Sequence, residues 1–344
     1  MKGRRVTIKD IAAHLKMSTS TVSRALANHS DVSRETRDIV LQLAEEWDYQ
    51  PDPIAVSLRQ KRTHTLGVII PQINNRFFSK AISGIQEVAN ANGYNVMITQ
   101  SEESFDLEKK NVQAMMNNRV DGLIVALSKQ TTYLDHFQKV FDSETPVVFF
   151  DRVGDSTYAS KVIIDDYEAS YSAVQHLIKE GCKRIAHVAG PQNLQNSRKR
   201  LEGYKDALKD NSLYQDNNLL VFSEYHTKEV RRITDYFLSI DPLPDAIFAI
   251  NDAFAIEMIC YLKKSGIRIP DDIAVVGFNN DNISPFIDPP LTSVESPAQD
   301  LGVEAAKLLL QSLDEEQAEL VKNQSKVIKS RLIIRESSIK SGQS

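Results

Sequence analysis

The sequence predicts a small all-α domain with a helix-turn-helix at the amino terminus, followed by a larger α/β core of two doubly wound parallel-sheet lobes. A chain of 344 residues is too long for one ordinary domain. Near the amino terminus, apolar side chains recur at helical spacing. From residue 66 onward, short apolar runs typical of buried strands alternate with amphipathic stretches, and this series repeats after residue 160. Two such series indicate two lobes.

The first two helices are predicted within residues 6–26. Thr7, followed three residues later by Asp10, is a helix start signal, and an apolar face follows it. Ser18 is placed to cap the second helix, on which Val22 faces inward. The outward side chains of that helix are small or hydrogen-bonding, with one planar cation: Thr19, Ser20, Thr21, Ser23 and Arg24.

This outward surface suits a helix that enters a DNA major groove, because short polar tips and a forked Arg side chain match base edges. The alternative is a plain helical hairpin with a solvated face. Charge gives DNA binding modest support: residues 1–62 carry 11 Lys and Arg against 8 Asp and Glu, a balance of +3, in a chain of net charge −5. A small positive module on an acidic body can bind phosphates locally.

A third helix is predicted to open at Ser33 or Arg34 and to be ended by Tyr49 and Pro51. Its apolar stripe, which includes Trp47, can close a three-helix core. Residues 51–65 form either a linker or a segment that folds only against DNA and a partner subunit. Proline suits the first position of a helix, which predicts one or two helical turns from Pro53 to Leu58. Leu58 would then wedge into a minor groove.

The core is predicted to be an alternation of strands and helices. Ligands of such sheets bind beyond the carboxyl ends of the strands, so polar residues just after each strand are candidate ligand residues. The predicted strands are 66–71, 94–100, 121–127, 146–151, 185–190, 217–223, 246–252 and 273–279. The predicted helices are 78–92, 106–118, 131–142, 166–180, 197–210, 227–239 and 252–265.

Several classes of function lack their sequence signals. Cys182 and Cys260 are far apart and show no metal-ligand spacing, so no metal and no cofactor are expected. The sequence contains no phosphate loop, no GxGxxG after a strand and no GxSxG, so no catalytic residues are assigned and an enzyme is not expected. The polar amino terminus and the absence of a long apolar run predict a cytoplasmic protein without membrane contact.

From about Thr7 to Ser338, the chain resembles the LacI/GalR family of transcription regulators. The motifs that carry this resemblance include T-I-K-D-I-A at 7–12, S-T-S-T-V-S-R-A-L at 18–26, V-S-R-E-T-R at 32–37, V-D-G-L-I at 120–124, P-V-V-F-F-D-R at 146–152, G-C-K-R-I-A-H-V-A-G at 181–190, A-I-N-D at 249–252 and P-P-L-T-S-V at 289–294.

The resemblance implies a DNA-binding domain at 1–50, a hinge helix at 51–64 and a periplasmic-binding-protein-like core at 65–340. In the core, lobe one would comprise about 65–162 and 293–325, and lobe two about 163–292 and 326–340. A homodimer on a near-palindromic double-stranded operator is implied. Base contacts would come from Thr19, Ser20 and Arg24, phosphate contacts from Thr7, Ser18, Thr21, Ser23, Ser33, Thr36 and Tyr49, and hinge contacts from Ala55 and Leu58.

The resemblance also implies a small-molecule effector, a sugar or sugar derivative, in the cleft between the lobes. Arg200 matches the Arg that clamps the ligand, and its fork of fixed donors suits hydroxyls or a carboxylate. Asp151, Asn251, Asp252 and Asn279 follow strands, while Phe77, Phe78 and Tyr225 can stack on a ring. Alternatives are open: Asp252 as a helix cap, Phe77 and Phe78 as core residues, Arg198 as a solvated side chain and His187 as a structural residue.

Taken together, these observations predict a transcriptional regulator, repression being the commoner mode in the family, whose operator affinity a bound ligand controls. The alternatives are a transcriptional activator and a cytoplasmic solute-binding protein that does not read DNA. Two departures from the family pattern bear on this prediction. Leu15-Lys16 stands where Ala-Gly is usual in the turn, so the turn must form without its customary glycine. Asn279 replaces a common Asp, which changes the hydrogen-bonding groups offered to a ligand.

Overall fold

The computed structural model of the chain describes residues 6–50, 62–154, 156, 158–225 and 228–340. Contacts divide the chain into two compact units, residues 1–64 and 65–344. Each unit has its own hydrophobic core. In the parts of the chain that are described, no helix is long and apolar enough to cross a membrane.

The described part of the first unit is a three-helix bundle, as the sequence predicts. Its helices are α1 (Ile8–His14), α2 (Thr19–Leu26) and α3 (Arg34–Glu46). Ile11, Val22 and Val40, one from each helix, are fully buried against one another in its core. The helical spacing of these apolar residues therefore determines which side of each helix is left outward.

All three helices end in the same backbone motif. The residue after each C-cap lies in the left-handed region: Lys16 (φ 52°), Asn28 (φ 54°) and Asp48 (φ 47°). The next N–H donates back to the third-last residue of the helix, as in Met17 N–H to the Ala12 carbonyl at 2.9 Å. This Schellman arrangement satisfies carbonyl groups that the helix leaves unpaired. The turn of the helix-turn-helix therefore forms with lysine in place of glycine.

The second unit is built from strands and helices in alternation. The strands are β1 (Thr65–Ile70), β2 (Asn95–Gln100), β3 (Gly122–Val125), β4 (Val147–Phe150), β5 (Ser160–Ile164), β6 (Ile185–Ala189), β7 (Leu220–Phe222), β8 (Ala246–Phe248), β9 (Ala274–Phe278), β10 (Thr292–Glu295), β11 (Ser325–Ile328) and β12 (Arg331–Ile333). The helices are α4 (Arg76–Ala91), α5 (Phe105–Asn117), α6 (Gln138–Asp142), α7 (Asp166–Lys179), α8 (Gln195–Asp210), α9 (Lys228–Leu238), α10 (Asp252–Lys264), α11 (Ala298–Leu313) and α12 (Ala318–Val321).

Over the described residues, the strands form two six-stranded sheets, one in each lobe. The first has the order β11-β5-β4-β3-β1-β2 and the second has the order β12-β10-β9-β8-β6-β7. Every pairing is parallel except that of β10 with β12. Both sheets are doubly wound, which confirms the predicted fold class. Because the strands run parallel, their carboxyl ends meet at one edge of each sheet.

The chain crosses between the two sheets three times, after β5, β10 and β11, at residues 164, 295 and 328. The crossings lie two or three residues later than the lobe boundaries expected from the sequence, 162, 292 and 325. The difference arises because the chain changes lobe only after β5, β10 and β11 have ended, whereas the expected boundaries fall within these strands.

Several predicted elements are shorter than expected, among them the strands predicted at 121–127 and 246–252, which are Gly122–Val125 and Ala246–Phe248. Two further cases have an identifiable polar contact. The helix predicted at 131–142 consists of a 3₁₀ turn, Asp135–Phe137, followed by α6. Thr131 is held outside it, because its hydroxyl donates to the buried carboxylate of Glu108 at 2.8 Å. The strand predicted at 217–223 begins as a 3₁₀ turn at Asn217–Leu219, in which the Asp216 side chain accepts a hydrogen bond from the backbone of Asn218. The first element is thus limited by a contact with a residue 23 positions earlier, and the second by a local side-chain-to-backbone hydrogen bond.

Candidate nucleic-acid interface and ligand cavity

Helix α2 presents the predicted base-reading residues to the outside. Thr19, Ser20 and Arg24 are exposed, whereas Val22 and Ala25 on the opposite side are buried. The helix is therefore held by one face and leaves its polar face accessible. Contact of these three side chains with bases stays a prediction.

Four of the predicted phosphate-binding hydroxyls lie at helix amino termini. Ser18 Oγ accepts a hydrogen bond from the backbone of Thr21 at 3.1 Å, and Ser33 Oγ accepts one from the backbone of Thr36 at 3.2 Å. Each serine also lies 2.8 Å from the hydroxyl of the threonine three residues later. Helix amino termini attract anions through their free N–H groups and dipole. The two serine–threonine pairs are thus placed where phosphates would be stabilised.

The remaining predicted DNA-binding residues are in varied settings. Thr7 donates to the carboxylate of Asp10 through both its N–H, at 2.8 Å, and its hydroxyl, at 2.7 Å. Its hydroxyl is therefore already engaged with its own helix. Ser23 and Tyr49 are half-buried. Ala55 and Leu58, together with the helical turns predicted around them, lie outside the described residues.

A cavity of about 170 Å³ lies between the two lobes of the core, at the carboxyl ends of their strands. The structure brings together in its lining all but one of the residues predicted to bind the ligand. They are Phe77, Phe78, Asp151, Arg200, Tyr225, Asn251 and Asn279.

Asp252 is the exception, because the structure does not place it in this cavity. Its carboxylate is 1% exposed and accepts hydrogen bonds from Ser284 Oγ at 2.7 Å, Ser293 Oγ at 2.5 Å and the backbone of Asp281 at 2.5 Å. Burial raises its pKa to about 6. Nor is it the cap of α10, since Asn251 accepts the capping hydrogen bond from the backbone of Phe254 at 2.9 Å. Asp252 instead ties the loop after β9 to β10.

Arg200 is fixed on two sides. Its Nε donates to the Asp166 carboxylate at 2.7 Å, and its guanidinium carbon lies 3.5 Å from the centroid of the Phe278 ring. An ion pair and a cation–π contact together restrict the plane of a guanidinium group. Arg200 therefore presents its guanidinium N–H donors to the cavity in a fixed orientation.

Asp151 follows β4 directly and has a left-handed backbone (φ 56°). Burial raises the pKa of its carboxyl to about 6, although the charges of Arg152 and Arg200 act in the opposite direction. A carboxyl in this state changes its charge close to neutral pH. It can accept hydrogen bonds from ligand hydroxyls most strongly when ionised.

Phe77 and Phe78 satisfy both interpretations offered by the sequence. They line the cavity, yet they are only 9% and 2% exposed and belong to the hydrophobic core. Their rings meet edge to face, with centroids 5.2 Å apart. The cavity wall on this side is therefore part of the core of lobe one.

Sequence reasoning missed an ion pair at the cavity. One guanidinium nitrogen of Arg152 lies 2.8 and 2.7 Å from the two carboxylate oxygens of Glu103. Burial lowers the pKa of Arg152, but Glu103, Tyr225 and Asp151 together outweigh this effect and raise the pKa above its ordinary value. The guanidinium carbon lies 5.6 Å from the ring centroid of Phe78 in lobe one and 5.3 Å from that of Tyr225 in lobe two. Arg152 therefore contacts both lobes.

Two of the residues that sequence reasoning missed carried a positional signal, because Arg152 follows β4 and Glu103 follows β2. Asn196, which also lines the cavity, lies in the first turn of α8. The charged groups that line the cavity or pair with its lining are two guanidinium groups and three carboxylates, namely Arg152, Arg200, Glu103, Asp151 and Asp166. The charge is thus close to balance, which suits an uncharged ligand rich in hydroxyl groups. Gln72 and Asn75 also line the cavity without having been predicted.

Polar contacts join the lobes on either side of the cavity. Lys129 Nζ donates to the backbone carbonyl of Glu224 at 2.8 Å, and Arg76 lies 3.5 Å from the Asp281 carboxylate.

Arg198 is exposed, as the sequence suggested, and donates to backbone carbonyls. It lines a separate groove of about 800 Å³ that contains none of the predicted ligand residues.

Comparison with known proteins gives matches to both units. Residues 7–52 match the model of "Bacterial regulatory proteins, lacI family". Residues 63–332 match that of "Periplasmic binding proteins and sugar binding domain of LacI family". The ribose operon repressor of Halalkalibacterium halodurans is 32% identical over 330 residues, which cover 96% of each chain.

Solved structures agree over the same span. The lac repressor dimer bound to operator and the anti-inducer ONPF superposes with a TM-score of 0.85 at 25% identity, covering 98% of this chain and all of that one. A family regulator from Enterococcus faecium with bound ribose gives a TM-score of 0.71 at 25% identity, covering 81% of this chain and all of that one.

Proposed function

The chain belongs to the LacI family of bacterial regulatory proteins, and we propose from this premise that a ligand in its interlobe cavity controls its affinity for operator DNA. It is a DNA-binding transcriptional regulator and not an enzyme, like the relatives that it matches. The observation that carries the proposal is the cavity itself. It gathers polar groups from both lobes, so a bound ligand would stabilise one arrangement of the lobes over another.

DNA recognition is proposed for the exposed face of α2, with Thr19, Ser20 and Arg24 at base edges. Phosphate contacts are proposed for Ser18, Thr21, Ser33 and Thr36, because their hydroxyls surround helix amino termini. Thr7, Ser23 and Tyr49 are assigned supporting phosphate contacts. In the hinge, Leu58 is assigned the minor-groove contact, and Ala55 is proposed to pack against the hinge of the partner subunit.

A sugar is the proposed effector. The near balance of charge around the cavity favours a neutral polyol over a strongly charged ligand. A cavity of about 170 Å³ with fixed guanidinium donors, a carboxyl acceptor and aromatic walls provides the groups that recognise hydroxyls and the apolar face of a sugar ring. Two of the matched proteins are named for ribose or contain it, which makes D-ribose the first compound to test.

The proposed functional form is a homodimer on a near-palindromic operator, as in the matched lac repressor structure. Large apolar side chains that remain exposed in lobe two, such as Phe222 and Phe286, provide surface for a partner subunit. Action on operator DNA places the protein in the cytoplasm.

The test is selection of bound duplexes from a random DNA pool at about 0.15 M salt, where non-specific phosphate binding is weak. Recovery of a near-palindrome would support an operator-binding dimer. The recovered sequence then serves as the probe for sugars that release or tighten the complex. Failure to recover a preferred sequence, both with and without a pool of sugars, would contradict DNA reading and favour the solute-binding alternative.

A further inference from the structure

His187 contains a buried hydrogen-bond acceptor that has no partner in the described part of the chain. The residue lies in the middle of β6 and is 2% exposed. Its Nδ1 lies 2.9 Å from the carbonyl oxygen of Phe248. Because a carbonyl can only accept, Nδ1 carries the proton of a neutral ring, and Nε2 is left with a lone pair. No described residue donates to Nε2.

Aromatic stacking holds the plane of this ring. It stacks between Tyr204 and Phe248, with centroid separations of 4.9 and 4.8 Å and interplanar angles of 29° and 12°. Burial lowers the pKa of His187 to about 4, and the charge of Arg200 acts in the same direction. The imidazole is therefore neutral at physiological pH, and protonation does not remove the need for a donor at Nε2.

A small void lies at this ring. Its volume is about 10 Å³, and its lining includes His187, Gly190, Ser197, Arg200 and Tyr225. This volume is about that needed to hold one water molecule. Ser197 Oγ and the Tyr225 hydroxyl lie 3.2 Å apart and supply further polar partners. A methyl group at Gly190 would come within 2.6 Å of Ser197 Oγ and 2.7 Å of the Tyr225 hydroxyl, so glycine is what allows these hydroxyls to approach.

We propose that His187, Ser197 and Tyr225 form a hydroxyl-binding site beside the interlobe cavity, in which one O–H group donates to His187 Nε2. That group belongs either to a water molecule or to the effector. Arg200 and Tyr225 line both the void and the interlobe cavity. The site therefore links His187 to the residues that contact the effector, and His187 acts as a positioning residue for them. The link to an effector rests on the proposed function. The inference that an O–H group donates to His187 Nε2 does not depend on it.

The first test is a high-resolution crystal structure of the full ligand-free chain, together with ¹⁵N NMR of its histidines. We expect an ordered water within hydrogen-bonding distance of His187 Nε2, a protonated Nδ1, and no titration of this ring above its pKa of about 4. An empty void, or a proton on Nε2, would overturn the proposal.

Crystals soaked in D-ribose distinguish the two sources of the O–H group. A retained water assigns the site to solvent, and its replacement by a sugar hydroxyl assigns it to the effector. Either result supports the site. If D-ribose does not bind, the choice of effector fails, yet the ligand-free crystal still decides whether the site exists.

A pair of variants separates hydrogen bonding from packing. His187→Leu removes the acceptor, and we expect it to weaken D-ribose binding by about 2- to 10-fold, the equivalent of one neutral hydrogen bond. His187→Gln keeps an acceptor oxygen and should recover part of that loss. Equal losses in both variants would count against a role for the acceptor in ligand binding.

Discussion

At the scale of single residues, Lys16 occupies a conformation that usually belongs to glycine. Its φ of 52° lies in the left-handed region, which costs an L-residue about 1–2 kcal/mol. Glycine removes this cost but adds about 0.5–1 kcal/mol of chain entropy in the unfolded state. We therefore expect Lys16→Gly to raise the free energy of unfolding of the helical unit by about 0.5–1 kcal/mol.

Trp47 provides the measurement for this variant, because it is the only tryptophan of the chain and packs edge-on against His14. Its fluorescence during denaturant unfolding reports on the helical unit. Asn28→Gly is the matched control. Asn28 has the same backbone conformation (φ 54°), and asparagine tolerates it better than lysine does. An equal gain in both variants would show that strain at Lys16 is not the cause.

Arg24 is expected to read sequence and not only charge. It is the one cation on the outward face of α2, and a guanidinium fork can pair with two acceptors of guanine. We expect Arg24→Ala to cost about 1–3 kcal/mol in operator binding and to relax preference at one base pair of each half-site. Binding to a set of singly substituted operators measures this. A uniform loss over all sequences would instead identify a phosphate contact.

Asp151 should make ligand binding depend on pH. Burial raises its pKa to about 6, so the folded chain holds this proton more tightly than the unfolded chain. Its contribution to stability therefore declines as the pH rises through about 6. Ligand affinity should move in the opposite direction, because an ionised carboxylate accepts hydroxyl hydrogen bonds more strongly. Calorimetric titration should show affinity for a neutral sugar rising through about pH 6, and Asp151→Asn should flatten the profile. A slope that persists in the variant would exclude Asp151 as its source.

How far the sequence predicts the site depends on the type of signal. Asp151 and Asn279 were found because they follow strands, and Arg200 because it matches a family position. Arg152 was missed although it also follows a strand, since its importance comes from Glu103, 49 residues earlier in the chain. The sequence did not indicate that the Asp252 carboxylate is engaged by hydroxyl groups from 32 and 41 residues later. Partners at such separations are set by tertiary packing and leave no local pattern.

At the scale of elements, glycines let pairs of helices pack backbone against backbone. In lobe one, a methyl group at Gly302 of α11 would collide with the Ala81 carbonyl oxygen of α4. One at Gly84 of α4 would collide with the Gln299 carbonyl oxygen of α11. In lobe two, a methyl group at Gly203 of α8 would collide with the Tyr167 carbonyl oxygen of α7. The same packing device thus recurs in both lobes.

We expect Gly302→Ala to destabilise the core by about 1–3 kcal/mol, because backbone atoms cannot yield to the added methyl group. This outcome opposes intrinsic propensity, which favours alanine over glycine by about 1 kcal/mol in a helix. Denaturant unfolding followed by circular dichroism measures the change. Ser83→Ala, at an exposed position of α4, is the control and should be neutral or slightly stabilising. A stabilised Gly302→Ala variant would contradict the close packing.

The predicted elements are those with strong apolar periodicity, whereas four strands and a long helix of the second unit were not predicted. The continuous apolar runs of β1, β3 and β4 identify buried strands. Strands β5, β10, β11 and β12 and helix α11 were not predicted. Strands β11 and β12 lie at the edges of the two sheets, next to β5 and β10. The exposed residues of β11 give no apolar run, and its position is set by pairing with β5, more than 160 residues earlier. The position of such an edge strand thus depends on a partner strand that is distant in the sequence.

At the scale of the whole molecule, the three crossings at 164, 295 and 328 are the covalent connections between the lobes. The other links are noncovalent, such as Lys129 with Glu224 and Arg76 with Asp281. A ligand that bridges Asp151 of lobe one and Arg200 of lobe two adds contacts that depend on the angle between the lobes. Its binding energy can therefore shift the balance between lobe arrangements, by no more than its difference in affinity for them.

We therefore expect effector and operator binding to be coupled by about 1–3 kcal/mol, a change of roughly 5- to 150-fold in either affinity. Fluorescence anisotropy of the selected operator, with and without effector, gives this ratio. Calorimetric titration of the effector into free and operator-bound protein must give the same ratio, because linkage is reciprocal. Arg200→Ala should lose the response to effector and keep the operator affinity of the ligand-free chain, since Arg200 belongs to the core and not to the helical unit. A response that persists in this variant would remove Arg200 from the ligand site, and a loss of operator affinity would show that Arg200 supports DNA binding without a ligand.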